Sequence, residues 1–302
     1  MVTNTSNVSR KHFPSLLAVL TLIKPVTWFP PMWAFLCGAV STSNLSLDTI
    51  SITIIGLILS GPIICGMSQA VNDWYDKDVD LINEPNRPIP SGRIPGKWGL
   101  WIAITMTLIG GVVSWFLGIW GFCATILAII CAWAYSAEPI RLKRSGIIGP
   151  GVVAICYEGL PWFTGAAILT SAFPETHIIF IAAIYAFGAF GIMTLNDFKA
   201  MEGDKKMGIR SLPVVLGPKS AGLLACIVMI VAQLIIVGFL LFLDMVPIAF
   251  LILALLFLQI LAMFRMMKNP KKLVPWYNAT GVLLYVTGMM ITAMGLGFSG
   301  GI

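Results

Sequence analysis

Two runs of acidic side chains, each following a long apolar stretch, have the types and spacing of a metal site. The first runs from Asn72 to Asp80 (NDWYDKDVD) and the second from Asn196 to Asp204 (NDFKAMEGD). If a helix continues through the first run, Asn72, Asp76 and Asp80 recur every four residues and share one face. Ionised carboxylates stacked in this way repel one another, and a divalent cation removes that cost. Both runs begin at the edge of an apolar segment, where ionisable groups are expensive and tend to be functional.

Magnesium is the cation that this set of oxygen donors favours, with Mn²⁺ as an alternative. Mg²⁺ usually binds through one or two carboxylates together with substrate phosphates. Two acidic faces, one in each half of the chain, therefore predict Mg²⁺ around one diphosphate. The predicted metal ligands are Asn72, Asp73, Asp76, Asp80, Asp197, Glu202 and Asp204. Of these, the predicted catalytic residues are Asn72, Asp76, Asp80, Asp197 and Asp204.

Basic residues follow both acidic runs and also occupy a third loop. Arginine and lysine bind phosphate oxygens through charge-assisted hydrogen bonds. For any one of these residues a role in membrane topology is the simpler explanation, but as a set they favour diphosphate binding. The diphosphate-binding candidates, including one tyrosine at the end of an apolar segment, are Arg87, Arg93, Tyr135, Arg141, Lys143, Arg144, Lys205 and Arg210.

The composition indicates that membrane-spanning helices must position these residues. Of the 302 residues, 58% are hydrophobic and 11% are charged, whereas a soluble domain carries about 25% charged residues. A spanning helix needs about 20 apolar residues. We therefore expect an all-α membrane protein with a polar cytoplasmic segment at 1–24 and a single transmembrane domain at 25–298. The nine predicted spans are 25–44, 50–72, 98–117, 119–136, 150–170, 177–196, 220–243, 246–265 and 277–298.

The basic residues also predict an orientation. All 19 lysines and arginines fall in the N-terminal segment or in alternate loops, which the positive-inside rule assigns to the cytoplasm. The N-terminus is then cytoplasmic and the C-terminus lies outside. The acidic runs lie four spans apart at the ends of spans 2 and 6, which suggests two four-helix halves plus a ninth helix. Because the positive charge is spread over short loops, nucleic acid is a poor partner and the bilayer is the expected one.

Other composition features exclude several kinds of site. The six cysteines form no C-x-x-C pair and lie in apolar stretches, so a zinc or iron–sulfur site is not expected. The two histidines, His12 and His177, are far apart. Histidine-ligated metals and histidine general-base chemistry are therefore disfavoured.

The motifs resemble those of the UbiA-type membrane prenyltransferases. The first acidic run is followed by Arg87-Pro-x-Pro-Ser-Gly, and the second by Gly208-Ile-Arg-Ser-Leu-Pro213. The strings INEPNRPIPSGRIPG (82–96) and NDFKAMEGDKKMGIRSLPVVLG (196–217) are most similar to the chlorophyll and bacteriochlorophyll synthases of that superfamily. The stretch KPVTWFPPMW (24–33) resembles the bacteriochlorophyll synthases of purple bacteria.

This resemblance implies a reaction and a location. The reaction is transfer of a geranylgeranyl or phytyl group from its diphosphate to the propionate of a chlorophyllide or bacteriochlorophyllide. The location is a bacterial cytoplasmic or photosynthetic membrane, with the active site on the cytoplasmic side. Other enzymes of pigment synthesis or photosynthetic assembly factors are the implied protein partners. One departure is that Ala200 stands where many members have the first acid of a DxxxD motif, which leaves Glu202 either a ligand or a solvent-facing residue.

The acceptor pocket is predicted less directly from aromatic residues that flank the acidic runs and from one acid within a span. These candidates are Trp28, Trp33, Trp74, Tyr75 and Glu158. A prenyltransferase acting on an aromatic quinone precursor is the main alternative, since it would share the diphosphate site. A transporter would place ionisable groups near the midplane, where only Glu158 is expected. A pigment-binding protein would need axial ligands, often histidine, and no paired acidic runs.

Overall fold

Long helices make up almost all of the described chain in the computed structural model, which describes residues 13–298. Residues 1–12, half of the predicted polar segment, lie outside the described residues. The helices, numbered here in chain order, are α1 Leu16–Ile23, α2 Phe29–Val40, α3 Ile50–Tyr75, α4 Lys77–Asn83, α5 Trp98–Phe116, α6 Ile119–Ser136, α7 Ile148–Thr170, α8 Thr176–Asn196, α9 Met201–Met207, α10 Leu212–Phe242, α11 Val246–Met267 and α12 Pro270–Phe298.

Within residues 13–298 the predicted spans are helical, and eight helices are long and apolar enough to cross a membrane. The ninth candidate is a pair, α1 and α2, which meet at an angle of 54°. Lys24 ends α1 in the left-handed conformation (φ 46°) and a 3-10 turn over Pro25–Thr27 follows. Proline fixes φ and lacks an N–H donor, so the helix bends at this proline-rich stretch.

Helix α1 lies within the segment 1–24, which is predicted to be polar. Its sequence, LLAVLTLI, contains no charge, and Ala18 and Leu22 are buried. They belong to a core with Met67 and Val71 of α3. Residues 16–23 therefore pack as part of the helical domain, because burying this apolar face is more favourable than solvating it.

Three apolar cores hold the described helices together. One joins α1, α3, α5 and α6. The largest joins α7, α8, α10, α11 and α12 and also takes Ala34 and Cys37 from α2. The third joins α2, α3 and α7 through Phe35, Leu59 and Ile168. The bent first span thus contributes its first arm to one core and its second arm to the other two. It links the two groups of helices whose ends carry the two acidic runs.

Helices α3 and α7 each contain a π-helical stretch. In α3 it covers Leu59–Cys65 and includes Pro62, and in α7 it covers Ile155–Gly159 and precedes Pro161. A proline removes one backbone donor and crowds the preceding turn, and a widened turn accommodates the extra residue. The stretches place Cys65 and Tyr157 in contact across the helix pair, at 3.4 Å between Sγ and the phenolic oxygen.

Helices α2 and α7 approach each other closely because glycines face each other across the contact. A Cβ atom at Gly38 would overlap the backbone oxygen of Trp162, and one at Gly165 would overlap that of Phe35. Small residues at helix contacts let two backbones pack closely within a membrane. This contact fixes the second arm of the bent span against α7.

Gly165→Ala should destabilise the fold because the added methyl group forces α2 and α7 apart. Overpacking of this kind costs about 1–3 kcal/mol, so the thermal midpoint of the detergent-solubilised protein should fall. Gly111→Ala in α5 is the matched control, since a Cβ there meets no atom within 4 Å. An equal fall in both variants would contradict the close-contact interpretation.

Candidate active site

The first acidic run is divided by a break in the helix at Asp76. The backbone of Asp76 (φ −96°, ψ 2°) separates α3 from α4. The i to i+4 hydrogen bonds continue, with the Asp76 N–H donating to Asn72 O at 3.0 Å and the Asp80 N–H to Asp76 O at 2.8 Å. Because of the break, the side chains form two pairs, Asn72 with Asp76 and Asp73 with Asp80. The expected single row of Asn72, Asp76 and Asp80 is not what the structure contains.

Asp73 and Asp80 share one arginine. Arg87 Nη1 lies 2.8 Å from Asp80 Oδ2 and 3.4 Å from Asp73 Oδ1. Asp73 is fully buried and also accepts from Lys24 Nζ at 2.7 Å. Its second oxygen, Oδ2, is buried without a hydrogen-bond partner. The carboxylate is therefore held by two cations and retains one oxygen free to accept a further ligand.

Lys24 is a site residue that the sequence analysis missed. In the sequence, Lys24 is only one of the basic residues that indicate topology. It lies 49 positions away from Asp73. The left-handed turn at Lys24 ends α1 and brings the side chain to the end of α3. The only sequence signal was its position directly before the proline-rich bend, which does not specify a partner.

Asp76 forms ion pairs with the other two basic residues that reach the first acidic run. Its Oδ1 lies 3.0 Å from Arg141 Nη2 and 2.5 Å from Lys143 Nζ. Its Oδ2 accepts from the Asn72 amide at 3.2 Å, and the same amide lies 3.3 Å from Ser136 Oγ. The α6–α7 loop thus closes over the end of α3, and its basic residues converge on an acid of the first run.

Burial shifts the pKa values of two groups that lie outside the spans. Burial raises the pKa of Asp80 to about 6, although the charge of Arg87 opposes the shift. Burial also lowers the pKa of Lys143, against the opposing attraction of Asp76. In both cases the loss of hydration disfavours the charged form, and the neighbouring opposite charge offsets part of that cost.

The second acidic run lies on the segment between α8 and α10. Asn196 ends α8, Asp197 starts a 3-10 turn over Asp197–Ala200, and Asp204 lies on α9. Asp197 and Asp204 are half-buried, whereas Glu202 is exposed. Asn278 of α12 donates to Asn196 Oδ1 at 2.9 Å. Glu202 is therefore the acid of this run least suited to ligate a buried ion.

Tyr135 lies within electrostatic reach of both runs, because the charges of Asp197, Asp76 and Asp204 act on its hydroxyl. Ser145 in the α6–α7 loop forms a backbone bridge with Arg210, which follows the second run. The loop that pairs with Asp76 therefore also contacts the segment that follows Asp204.

Four of the predicted diphosphate-binding residues do not contact the acids of either run. Arg93 donates to its own loop, at Asn86 O and Ser91 Oγ, because the tight turn folds the guanidinium back. Arg144 pairs with Glu138 at 2.7 Å and is 59% exposed. Lys205 and Arg210 are exposed. Arg87, Arg141 and Lys143 are the members of the predicted basic set that the fold brings to the carboxylates.

The predicted acceptor-pocket residues are dispersed. Trp28 donates to Ile23 O and Trp33 donates to Val286 O, both at 2.8 Å. Trp74 lies under the ammonium of Lys77, and Tyr75 packs edge-on against another tryptophan, Trp133. Trp28 bonds within its own bend, whereas Trp33 and Tyr75 each contact a different neighbouring helix.

Glu158 is buried in the π-helical stretch of α7, and its Oε2 has no partner. Nearby, Gln69 Nε2 donates to the Tyr157 hydroxyl at 3.0 Å. Gln69 lies one turn before Asn72 on α3, so this pair adjoins the acidic run on its membrane side. Neither Gln69 nor Tyr157 stands out in the sequence, since each is an isolated polar residue in an apolar segment.

The donor set fits Mg²⁺ bound together with a diphosphate. Within residues 13–298, no three acidic, histidine or cysteine side chains converge closely enough to hold a metal ion by themselves. Mg²⁺ is commonly bound through one or two carboxylates, with waters and phosphate oxygens completing the shell. The unpartnered Oδ2 of Asp73 and the carboxylates of Asp197 and Asp204 are oxygen donors of this kind.

Comparison with known proteins places these features in a family. The model of the UbiA prenyltransferase family matches residues 27–296. Bacteriochlorophyll synthase 33 kDa chain of Cereibacter sphaeroides is 55% identical, covering 95% of each chain. The protein of the same name from Rhodobacter capsulatus is 56% identical, covering 95% of this chain and 96% of that one.

A solved structure is similar in fold. It is a UbiA homolog from Archaeoglobus fulgidus bound to GPP and Mg²⁺, with a TM-score of 0.69 and 21% identity. The similarity covers 90% of this chain and 99% of that one. The helical arrangement described above is therefore that of the UbiA fold.

The Lys24–Asp73 pair gives a test of the site's electrostatics. Lys24→Met leaves the buried Asp73 with Arg87 alone and should lower the free energy of unfolding by roughly 2 kcal/mol, less than for an isolated buried pair. Adding Asp73→Asn should recover most of this loss, because the uncompensated charge is gone. Lys206→Met, at an exposed lysine, is the control. The absence of recovery in the double variant, measured by denaturant titration in mixed micelles, would contradict the pairing.

Proposed function

Because the chain belongs to the UbiA prenyltransferase family, we propose that it esterifies the propionate of a bacteriochlorophyllide or chlorophyllide with a geranylgeranyl or phytyl group taken from its diphosphate. It is a membrane prenyltransferase of the bacteriochlorophyll synthase type. The observation that carries this function is the identity with two bacteriochlorophyll synthases over nearly the whole length of both chains. The paired acidic runs agree with it, because a prenyl diphosphate needs a cation-rich site at the membrane surface.

We assign the metal ligands to acids of both runs that lie within electrostatic reach of Tyr135. Asp76, Asp197 and Asp204, with Asn72 and Asp73, would hold Mg²⁺, and Mn²⁺ is a chemically equivalent alternative. When bound, the metal supplies positive charge that stabilises the departing diphosphate. The solved homologue with GPP and Mg²⁺ supports this cofactor.

The basic residues of the α6–α7 loop are assigned to the diphosphate. Arg141 and Lys143 lie on Asp76, at the point where phosphate oxygens would approach, and their charge favours the leaving group. In the reaction the allylic C–O bond breaks and its electron pair leaves with the diphosphate. A propionate oxygen then forms the new C–O bond. The propionate is already an anion, so no strong base is required.

The apolar spans below the acids protect the reacting carbon from water. Gln69 and Tyr157 lie directly beneath Asn72 and face each other at hydrogen-bond distance. We assign them to the wall around the allylic end of the prenyl chain, where a polarised hydroxyl favours a developing positive charge. The acceptor carboxylate then approaches from the side of the bent first span, which Trp28 and Trp33 flank.

The orientation follows from the sorting of basic residues. We propose nine spans, with α1 and α2 counted as one bent span, the N-terminus and active site in the cytoplasm and the C-terminus outside. Every lysine and arginine then lies on the same side as the diphosphate site. The protein would act in a bacterial cytoplasmic or photosynthetic membrane, and pigment-synthesis enzymes or photosynthetic assembly factors are its proposed protein partners.

The reaction is tested directly with membranes that contain the protein. Incubation with geranylgeranyl diphosphate, bacteriochlorophyllide and Mg²⁺ should yield esterified pigment, detected by chromatography. Chelation with EDTA should abolish the product, and added Mg²⁺ should restore it. Prenylation of hydroxybenzoate with no ester formed on any tetrapyrrole would instead establish the quinone-precursor alternative.

The proposed role of the first acidic run is tested with two neighbouring aspartates. Asp76→Asn should reduce turnover at least about a hundredfold, as expected when a group that stabilises transition-state charge is lost. Asp78→Asn should leave turnover nearly unchanged, because Asp78 is exposed and forms no ion pair within the described residues. Equal activity of the two variants, at equal amounts of membrane-inserted protein, would refute the assignment.

A further inference from the structure

A groove separate from the acidic site lies between the start of α10 and the connection from α11 to α12. Its volume is about 580 Å³. The residues that line it and matter here are Leu216, Lys219, Ser220, Lys268, Asn269 and Lys271. None of them belongs to the predicted diphosphate or metal set.

The groove has a strong positive charge. Lys219 comes from one wall and Lys268 and Lys271 from the other, and no acidic residue lines it. Within residues 13–298, none of these three lysines forms an ion pair, in contrast to Lys24, Lys143, Arg87 and Arg141 at the active site. Three like charges around one cavity repel one another, so an anion in the groove would be stabilised.

Two helix starts add to this charge. Gly217 (φ 77°, ψ 160°) interrupts α10, so its long membrane arm restarts at Pro218. Helix α12 begins at Pro270, and Asn269 O accepts from the N–H groups of Lys272 and Leu273. The first N–H groups of a helix have no partner within it and favour negative charge. Both starts lie in the lining of the groove.

The surroundings identify the kind of anion. The groove lies at the ends of three spans, where a lipid headgroup would lie, and its lining includes the exposed apolar side chain of Leu216. Val215 and Leu223, which neighbour it on α10, are also about half exposed. A soluble anion would gain nothing from these apolar side chains, whereas a phosphate that carries acyl chains would cover them. Basic pockets between spans on the cytoplasmic side suit anionic lipid headgroups.

We propose that this groove binds the phosphate headgroup of an anionic phospholipid, with Lys219, Lys268 and Lys271 as its ligands. The site is independent of the prenyl transfer reaction and of the diphosphate site. Gly222, which follows the lining residue Lys219 by three positions, lies close to Pro270 of the lining and to the ring of Phe198, the neighbour of Asp197. The groove is therefore near the segment that carries Asp197.

The test is lipid binding to the purified full-length protein in a neutral detergent, followed by native mass spectrometry. Phosphatidylglycerol should bind the unmodified protein more tightly than phosphatidylcholine. The double variant Lys219→Gln with Lys268→Gln should weaken phosphatidylglycerol binding at least about tenfold, since each lysine near an anionic lipid contributes about 1 kcal/mol, or about fivefold. The control Lys97→Gln with Lys206→Gln removes the same charge from exposed lysines outside the groove and should not change binding.

Each other outcome overturns the proposal. Equal affinity for the two lipids, or equal weakening in the control variant, would mean that the groove does not select an anionic headgroup. Displacement of phosphatidylglycerol by inorganic phosphate at similar concentration would mean that the site takes a soluble anion. All four substituted lysines are exposed, so an unchanged thermal midpoint will verify that the variants are folded.

Discussion

The structure depends on the cost of placing carboxylates at the ends of apolar helices. Asp73 is fully buried and Asp80 nearly so, and a buried charge without a partner destabilises a fold by several kcal/mol. The chain meets this cost with basic residues from different segments. Lys24 comes from the bend after α1, Arg87 from the loop after α4, and Arg141 and Lys143 from the loop after α6. The need to pair these acids therefore fixes three loops around the end of one helix.

The bend after α1 and the π-helical stretches in α3 and α7 also position polar groups near the end of α3. The bend at Lys24–Thr27 turns α1 so that Lys24, which directly follows this helix, meets Asp73. The π-helical stretches in α3 and α7 align Cys65, Gln69 and Tyr157 across the helix pair beneath Asn72. A regular α-helix in place of either stretch would lack the extra residue of the wide turn. The side chains beyond it would then point in a different direction around the helix axis. The irregular turns thus lie where polar groups must face each other inside an apolar domain.

Local patterns in the sequence predicted much of this but not its pairings. The apolar segments and the acidic runs are local features with a fixed period or composition, and the apolar segments predicted the helical spans. The partner of an acid is set by tertiary packing, so Lys24 looked like an ordinary topology residue and Arg93 looked like a phosphate ligand. Residues 16–23 were missed as a helix because they follow a polar start. Asp80 was predicted to share a face with Asn72 and Asp76, because no local sequence pattern indicates the break in the helix at Asp76.

The two acidic runs differ in how their charge is balanced. In the first run every buried carboxylate has a basic partner, so its charge is largely neutralised by the protein itself. In the second run neither Asp197 nor Asp204 has an ion-pair partner within the described residues, although both are half-buried. The second run therefore gains most from a divalent cation, whereas the first run gains most from an anion that takes over its arginines and lysines. A metal diphosphate carries both charges, so its binding would compensate the carboxylates of the second run and the basic residues of the first run together.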